Sequence, residues 1–362
     1  MSIFAQLPER ETKQLSPGEA VWIFGTGSFG RSVASACASQ GVEVKGFVQT
    51  KPTASYVDDL PVRAWSDLST IDRSMALVIG IFNRDTPLDG LVCLALDAGH
   101  KHIVMPWDFY AQFGKELGWR FWLANPDLLR SHTTDLTWTH KRLADEISRT
   151  CLEQVVNFRL GLGLDYASST HSSIRYFNDL TLKRFQGKPL NYLDGGAYDG
   201  DGLKILAGLT KVSQAWLFEP DIQNYSNMAQ IVHDAKLPGY CLPLGLSDSH
   251  RFLNFSGGMG EAARIDQQGT DGITTVAIDD FLGSQKVDFI KLDVEGAEAD
   301  VLRGAAGAIA KHKPVLAISC YHHPECIWAL PRLIDQIEES YKIYFRQHQY
   351  NSFDLVLYGV PK

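Results

Sequence analysis

The sequence predicts an α/β protein: a doubly wound, mostly parallel sheet finished by an antiparallel hairpin, preceded by a small α/β domain and a helical connector. Three observations carry this reading. Apolar strand-like runs alternate with helical patterns in both halves of the chain. Two of those runs lead straight into glycine-rich or acidic turns, Leu193 to Gly200 and Asp288 to Glu298, as strands do at the ligand-binding edge of an open sheet. The last two runs stand too close together for a helical crossover. The three parts are placed at residues 1–115, 116–187 and 188–362.

Composition bounds the function. The chain has 362 residues, 45% hydrophobic and 21% charged, which suits a soluble protein with two cored domains. A net charge of -8 argues against a broad nucleic-acid surface, which needs Lys and Arg to neutralise phosphates. The start, Met1 to Arg10, lacks a secretion signal, and no later run is apolar for a membrane-spanning length, so a cytoplasmic protein without membrane insertion is expected. Six cysteines, at 37, 93, 151, 241, 320 and 326, include no CxxC and read as reduced core thiols. The run Cys320-Tyr321-His322-His323-Pro324-Glu325-Cys326 crowds possible ligands together but matches no standard zinc spacing, and no metal site is expected.

In the first part, strand Ala20 to Phe24 is followed by Gly25-Thr26-Gly27-Ser28-Phe29-Gly30 and a helix carrying Val33, Ala36 and Cys37 on one face. Further strands are expected at Val42 to Val48, Met75 to Phe82 and Ile103 to Met105, with a helix from Leu88 to Ala98. This is a Rossmann-like context, in which Gly25, Gly27 and Gly30 would let a pyrophosphate approach backbone N–H groups at the helix start. A dinucleotide site also wants an acidic residue after the second strand, whereas Phe47-Val48 runs into Gln49-Thr50-Lys51. Two readings stay open: the glycines permit tight strand-to-helix packing, or the domain binds a nucleotide or sugar nucleotide. The connector contains Trp119-Arg120-Phe121-Trp122 and a helix with Ile147, Cys151, Val155 and Phe158 at helical spacing. Its end, Ser173 to Phe177, either folds over a cofactor pocket or contributes Tyr176 and Phe177 to packing.

In the third part, strands are expected at Asn191 to Leu193, Ala215 to Phe218, Tyr240 to Leu246, Asp288 to Leu292 and Val315 to Ser319, with helical patterns between them. Tyr341 to Phe345 and Asp354 to Tyr358 form the closing antiparallel pair, the arrangement of class I methyltransferases. Asp194-Gly195-Gly196-Ala197-Tyr198-Asp199-Gly200 has the residues of an S-adenosylmethionine turn: small ones where the chain passes the methionine portion, and N–H groups near the next helix for its carboxylate. Asp194 or Asp199 could pair with the ammonium of that donor. Glu219, before Pro220 at the end of the second strand, suits the ribose hydroxyls, and Ser247 and Asp248 stand where an adenine edge would lie. Asp293 and Glu295, two apart where strand gives way to turn, can share one side and orient or deprotonate an acceptor hydroxyl. His322 or His323 is the rival base, and Glu295 could instead serve the dipole of the following helix.

Taken together, Asp194 to Gly200, Glu219-Pro220, Ile278-Asp279-Asp280-Phe281, Asp288 to Glu298 with Val301-Leu302-Arg303-Gly304-Ala305, and Tyr321-His322 resemble the FkbM-type methyltransferase family. The resemblance implies an S-adenosylmethionine-dependent O-methyltransferase, often serving sugars, glycans or polyketides. Where family members commonly read Asp-Val-Gly-Ala-Asn, this chain has Asp194-Gly195-Gly196-Ala197-Tyr198. The expected activity is methylation of a hydroxyl on a sugar, sugar nucleotide or glycan acceptor. The alternatives are an NAD(P)-binding oxidoreductase domain fused to a methyltransferase, and a non-catalytic nucleotide-binding module.

Overall fold

The computed structural model describes residue 4 and residues 7–171, 173–257, 264–265 and 269–362. Residues 1–3 and 5–6, part of the amino-terminal stretch read above, lie outside the described residues. The chain forms two compact units, one of Met1–Thr137, Thr150–His171 and Gln349–Asp354, the other of Trp138–Arg149, Ser172–His348 and Leu355–Lys362.

The first unit is built on strands β1 (Ala20–Phe24), β2 (Glu43–Gln49), β3 (Tyr56–Val57), β4 (Leu60–Ala64), β5 (Ala76–Ile79) and β6 (Ile103–Val104), in the order β3-β4-β2-β1-β5-β6. β1 lies parallel to both β2 and β5, and all four residues of β5 are buried, as expected of a strand covered on both faces. Helix Ser28–Ser39 lays Phe29, Val33, Ala36 and Cys37 into the core. Close backbone approach explains two of the three motif glycines. A Cβ on Gly30 would stand 2.2 Å from the Gly25 carbonyl oxygen, and one on Gly25, at φ +110, would stand 2.4 Å from Ile81. Gly27 faces open space at an ordinary φ of -67, so packing does not require it. Asn351 organises the start of helix Leu88–Asp97: its Oδ1 accepts the Leu88 N–H at 2.9 Å, and its Nδ2 donates to the carbonyls of Asn83 and Thr86. In helix Glu146–Arg159 the expected Cys151, Val155 and Phe158 are buried, but Ile147 is 55% exposed. The periodicity marks a face without marking how far along the helix that face is covered.

The second unit holds two sheets. Strands β7 (Leu190–Gly195), β8 (Val212–Phe218) and β9 (Gly239–Leu242) are followed by β10 (Gly245–Leu246), β11 (Arg251–Ser256), β12 (Arg264–Ile265) and β13 (Asp271–Val276). Then come β14 (Phe289–Leu292), β15 (Val315–Ser319), β16 (Tyr341–Gln347) and β17 (Leu355–Pro361). The larger sheet runs β16-β17-β15-β14-β7-β8-β9, parallel from β15 to β9, with β17 antiparallel to both its neighbours. Numbered within that sheet, the order is 3-2-1-4-5-7-6, the class I methyltransferase arrangement, and its winding reverses between β7 and β14. Phe289 anchors the core beneath that point, its ring 5.7 Å from those of Phe177 and Tyr192.

Two expectations in this unit are corrected. Tyr240 to Leu246 is not one strand: Pro243, which has no N–H for the ladder, separates β9 in the large sheet from β10 in a smaller one. The stretch between Leu246 and Asp288 is also not simply helical. Its described residues form β11 and β13, an antiparallel pair in the small sheet ordered β10-β13-β11-β12, and the short helix Ile278–Leu282. Along β13, Ile273 and Thr275 point inward and Gly272 outward, a period of two.

The glycine geometry yields a paired expectation. Gly30→Ala should cost about 1–3 kcal/mol through overpacking, while Gly27→Ala should stay within about 0.5 kcal/mol of the parent, as read by urea unfolding. Equal effects would show that contact with Gly25 does not set the helix position.

Candidate active site

The site grows from the pairing of β7 with β14, which sets Lys291 opposite Asp194 and Leu292 opposite Gly195. Asp194 is fully buried and accepts from Lys291 Nζ at 2.7 Å and from the Tyr192 hydroxyl at 2.8 Å, Tyr192 being two residues earlier on the same strand face. Lys291 Nζ also donates to the Gly196 carbonyl at 2.8 Å and lies 5.4 Å from the centre of the Tyr176 ring. Burial pushes the Asp194 carboxyl above its usual range, while Lys291 and Tyr192 favour its charged form. Asp194 therefore ties the turn to its neighbour strand. Asp199, at the turn's far end, accepts the Asp201 N–H at 3.1 Å.

From β7 the chain turns through Gly196 (φ +72), Tyr198 (φ +51) and Gly200 (φ +82) into helix Asp201–Leu209. The N–H groups of Gly196 and Ala197 both donate to the Phe218 carbonyl. A Cβ on Gly196 would stand 1.9 Å from the Asp293 carbonyl oxygen, so this turn and the one after β14 touch through glycine backbone. Gly200 itself offers the helix no side-chain cap, and Asp199 takes the first N–H instead. Tyr198 occupies a left-handed position that Asn adopts more readily.

Glu219 follows β8 and is 5% exposed. Its Oε2 accepts the Tyr198 N–H at 2.9 Å and its Oε1 the Asp221 N–H at 3.0 Å. Burial outweighs those two bonds and pushes its carboxyl up to about 7. Ser247 and Asp248 follow β10 in the small sheet. Ser247 is buried and its N–H donates to the Val276 carbonyl of β13, while Asp248 accepts from Arg251 and from Ser249 Oγ, so Ser247 is held to the small sheet and Asp248 within its turn.

After β14 the backbone turns at Glu295 (φ +51) and Gly296 (φ +104). Left-handed backbone at a residue such as Glu295 costs about 1–2 kcal/mol and marks a turn held in place by its surroundings. Asp293, Glu295 and His322 come together here. His322, fully buried just beyond β15, has Nδ1 at 2.8 Å from Glu298 Oε1, and its Nε2 lies 3.5 Å from both Asp293 Oδ1 and Glu295 Oε1. Glu298 Oε1 also accepts the Val294 N–H at 3.0 Å. The Tyr176 hydroxyl donates to Asp293 Oδ2 at 2.9 Å and lies 3.0 Å from Ser319 Oγ. His323 instead lies over Gly296, where a Cβ would stand 2.5 Å from its Nε2.

The charges in this cluster lean on one another. Burial opposes the charge on Asp293, yet His322, Lys291 and Arg175 hold its carboxyl below the usual range. Glu295 moves up, through burial and the like charges of Asp293 and Glu298, against the pull of His322. Burial also opposes a charged imidazole at His322, but Glu298 and Glu295 outweigh it and raise His322 well above the ordinary histidine value. A low carboxylate beside a raised one divides acid and base tasks between neighbouring groups.

Lys291 and Glu298 line the candidate site although the sequence reading gave them no role there, and Tyr176, read there either as pocket cover or as packing, brings its hydroxyl to Asp293. Lys291 carried a usable signal: a lone lysine inside the apolar run Phe289-Ile290-Lys291-Leu292 must find a buried partner. Gly25, Gly27 and Gly30 lie in the first unit, where Gln49 Nε2 donates to Thr26 Oγ1 at 2.8 Å from the position at which dinucleotide sites keep an acid.

Residues 194–352 match the family model of the methyltransferase FkbM domain. No curated protein matches the chain. Among solved structures, the chain is similar to a methyltransferase FkbM from Methylobacillus flagellatus KT, with 23% identity, a TM-score of 0.77 and coverage of 95% of this chain and 90% of that one. A far weaker likeness, with a TM-score of 0.29 and 14% identity over 49% of this chain and 86% of the other, is to a SAM-dependent methyltransferase from Aquifex aeolicus.

Two outcomes follow from the buried charges. Lys291→Met should destabilise the protein by about 3–5 kcal/mol by stranding Asp194, and adding Asp194→Asn should recover part of that loss in urea unfolding. Glu219 has a folded value above its ordinary 4.5, so the stability it contributes is complete below that pH and is lost as pH rises through about 7. Relative to Glu219→Gln, the parent should lose up to about 3 kcal/mol across that window; parallel pH profiles would contradict the assignment.

Proposed function

We propose that the protein, a methyltransferase whose FkbM domain spans residues 194–352, transfers a methyl group from S-adenosylmethionine to a hydroxyl of a sugar, sugar nucleotide or glycan. The observation that carries this reading is the meeting of the glycine turn after β7 with Asp293, Glu295 and His322 after β14 and β15, at the point where the sheet reverses its winding. The residues present fit the donor. The start of helix Asp201–Leu209, whose first N–H is taken by Asp199, still presents its dipole to a carboxylate, and a buried acid, Glu219, stands at the end of the next strand for ribose hydroxyls. When bound, S-adenosylmethionine supplies an electrophilic methyl group on a sulfonium.

The chain's own residues do the rest. Gly195, Gly196 and Ala197 keep the turn slim, and Tyr198 N–H holds the Glu219 carboxylate in place. Asp199 remains the acid for the donor's ammonium, because Asp194 is taken up by Lys291 and Tyr192. Asp293, charged and oriented by the Tyr176 hydroxyl, accepts the proton of the acceptor hydroxyl, while His322 and Glu295 stabilise the charge that moves. The net charge of -8 suits a neutral or sugar-like acceptor better than nucleic acid. In the first unit, Gly27 leaves the start of helix Ser28–Ser39 open to a nucleotide, while Gly25 and Gly30 serve the close packing beneath it.

Calorimetry with S-adenosylhomocysteine should give saturable binding that Glu219→Ala weakens about 10–100-fold, the worth of hydrogen bonds to a charged group. With labelled donor and a panel of sugars, sugar nucleotides and oligosaccharides, Asp293→Asn should lower kcat/KM about 10²–10⁴-fold. Absence of heat with S-adenosylhomocysteine, or full turnover by Asp293→Asn, overturns the corresponding assignment.

A further inference from the structure

We propose that Asp293, Glu295 and His322 form a divalent-cation site of the Mn2+ type, which positions and polarises the acceptor hydroxyl. One ligand atom from each residue lies within 4.8 Å of the others. The two separations of 3.5 Å from His322 Nε2 to Asp293 Oδ1 and Glu295 Oε1 are too long for good hydrogen bonds. They suit neighbouring ligands on an octahedral ion, where bonds of about 2.1 Å place adjacent ligand atoms about 3 Å apart and only a small movement closes the site.

A second observation points to a ligand independently of the spacing. Glu298 Oε1 takes the far side of the imidazole through Nδ1 at 2.8 Å and is itself fixed by the Val294 N–H. A carboxylate behind a histidine in this way sets the ring's orientation and turns Nε2 toward an ion. A third concerns the oxygens: Asp293 Oδ1 and Glu295 Oε2 are sealed from solvent and have no hydrogen-bond partner among the described residues. Such atoms are costly to bury, and a cation relieves both. Three carboxylates, Asp293, Glu295 and Glu298, also surround one imidazole, with Lys291 and Arg175 acting, of the three, on Asp293 alone. Two carboxylates with one imidazole favour Mn2+ over the softer ions, which prefer thiolates or several imidazoles.

The polarising role rests on the methyl-transfer reading, whereas the cation site does not. With a cation held through Asp293 Oδ1, the acceptor hydroxyl would bind the ion directly and pass its proton to the other oxygen of the same carboxylate, Oδ2, which Tyr176 orients. The test uses the full chain, freed of metal and titrated with Mn2+ alone, free Mn2+ being followed by electron paramagnetic resonance. One saturable site is expected, and Glu298→Gln should weaken it about 10–100-fold by loosening the imidazole. Because that variant could disturb folding, the parent protein provides a second measurement: electron spin-echo modulation of bound Mn2+ should show coupling to one imidazole nitrogen. No saturable site, or a bound ion without nitrogen coupling, overturns the proposal. S-adenosylhomocysteine binding by the same sample separates the two readings. A chain that binds the nucleoside but no Mn2+ refutes the cation site alone, and one that binds Mn2+ but not the nucleoside refutes the methyl-transfer reading.

Discussion

The lateral pairing of β14 on β7 is the constraint from which the rest of the site follows. Its register sets Lys291 against Asp194 and ends both strands at the same level, so that the Asp293 N–H donates to the Gly195 carbonyl. The two turns beyond then have nowhere to go but against each other, and only glycine at 196 lets the Asp293 carbonyl come so near. A one-residue slip would send Lys291 to the other face and leave two buried charges unpaired, so the ion pair selects the register even if its net contribution to stability is small.

Above that foundation the protein concentrates negative charge where an ordinary core would exclude it. Asp293, Glu295 and Glu298 share one buried imidazole, and the backbone at Tyr176, Tyr198 and Glu295 is held in the left-handed region. Both features cost stability, and they coincide at the carboxyl edge of the sheet. Rigid flanking strands sustain them: β14 and β15 are buried along their whole lengths. A cluster so held cannot relax to satisfy itself, which is the condition for keeping a polar group ready for a substrate or ion.

The first unit shows how one motif can mix purposes. Gly25 and Gly30 are spoken for by backbone packing at the end of β1, yet Gly27 is not, and it stands at the start of a helix with no side chain capping it. Spacing alone could not separate these roles, because each glycine looks the same in a sequence and only the atoms opposite it differ. The same holds for Ser247 and Asp248: the Ser247 N–H is taken by Val276 on β13, and the Asp248 carboxylate by Ser249 and Arg251.

Strand-forming runs, the antiparallel end of the sheet and the acids at the ends of β8 and β14 were legible in the sequence, because burial on both faces leaves unbroken apolar runs and polar residues appear only where such a run stops. Asp293, Glu295 and His322 could be named for the same reason. Their distances could not, nor could Glu298 be found behind the imidazole, or Tyr176 be brought to Asp293 across 117 positions of chain. Local pattern records which face of an element meets the core, while long-range contacts depend on strand order and register. Tertiary structure alone decided that Pro243 would divide one apolar run between two sheets, and that Asp194 would bind its neighbour strand, because those outcomes depend on which strands lie alongside.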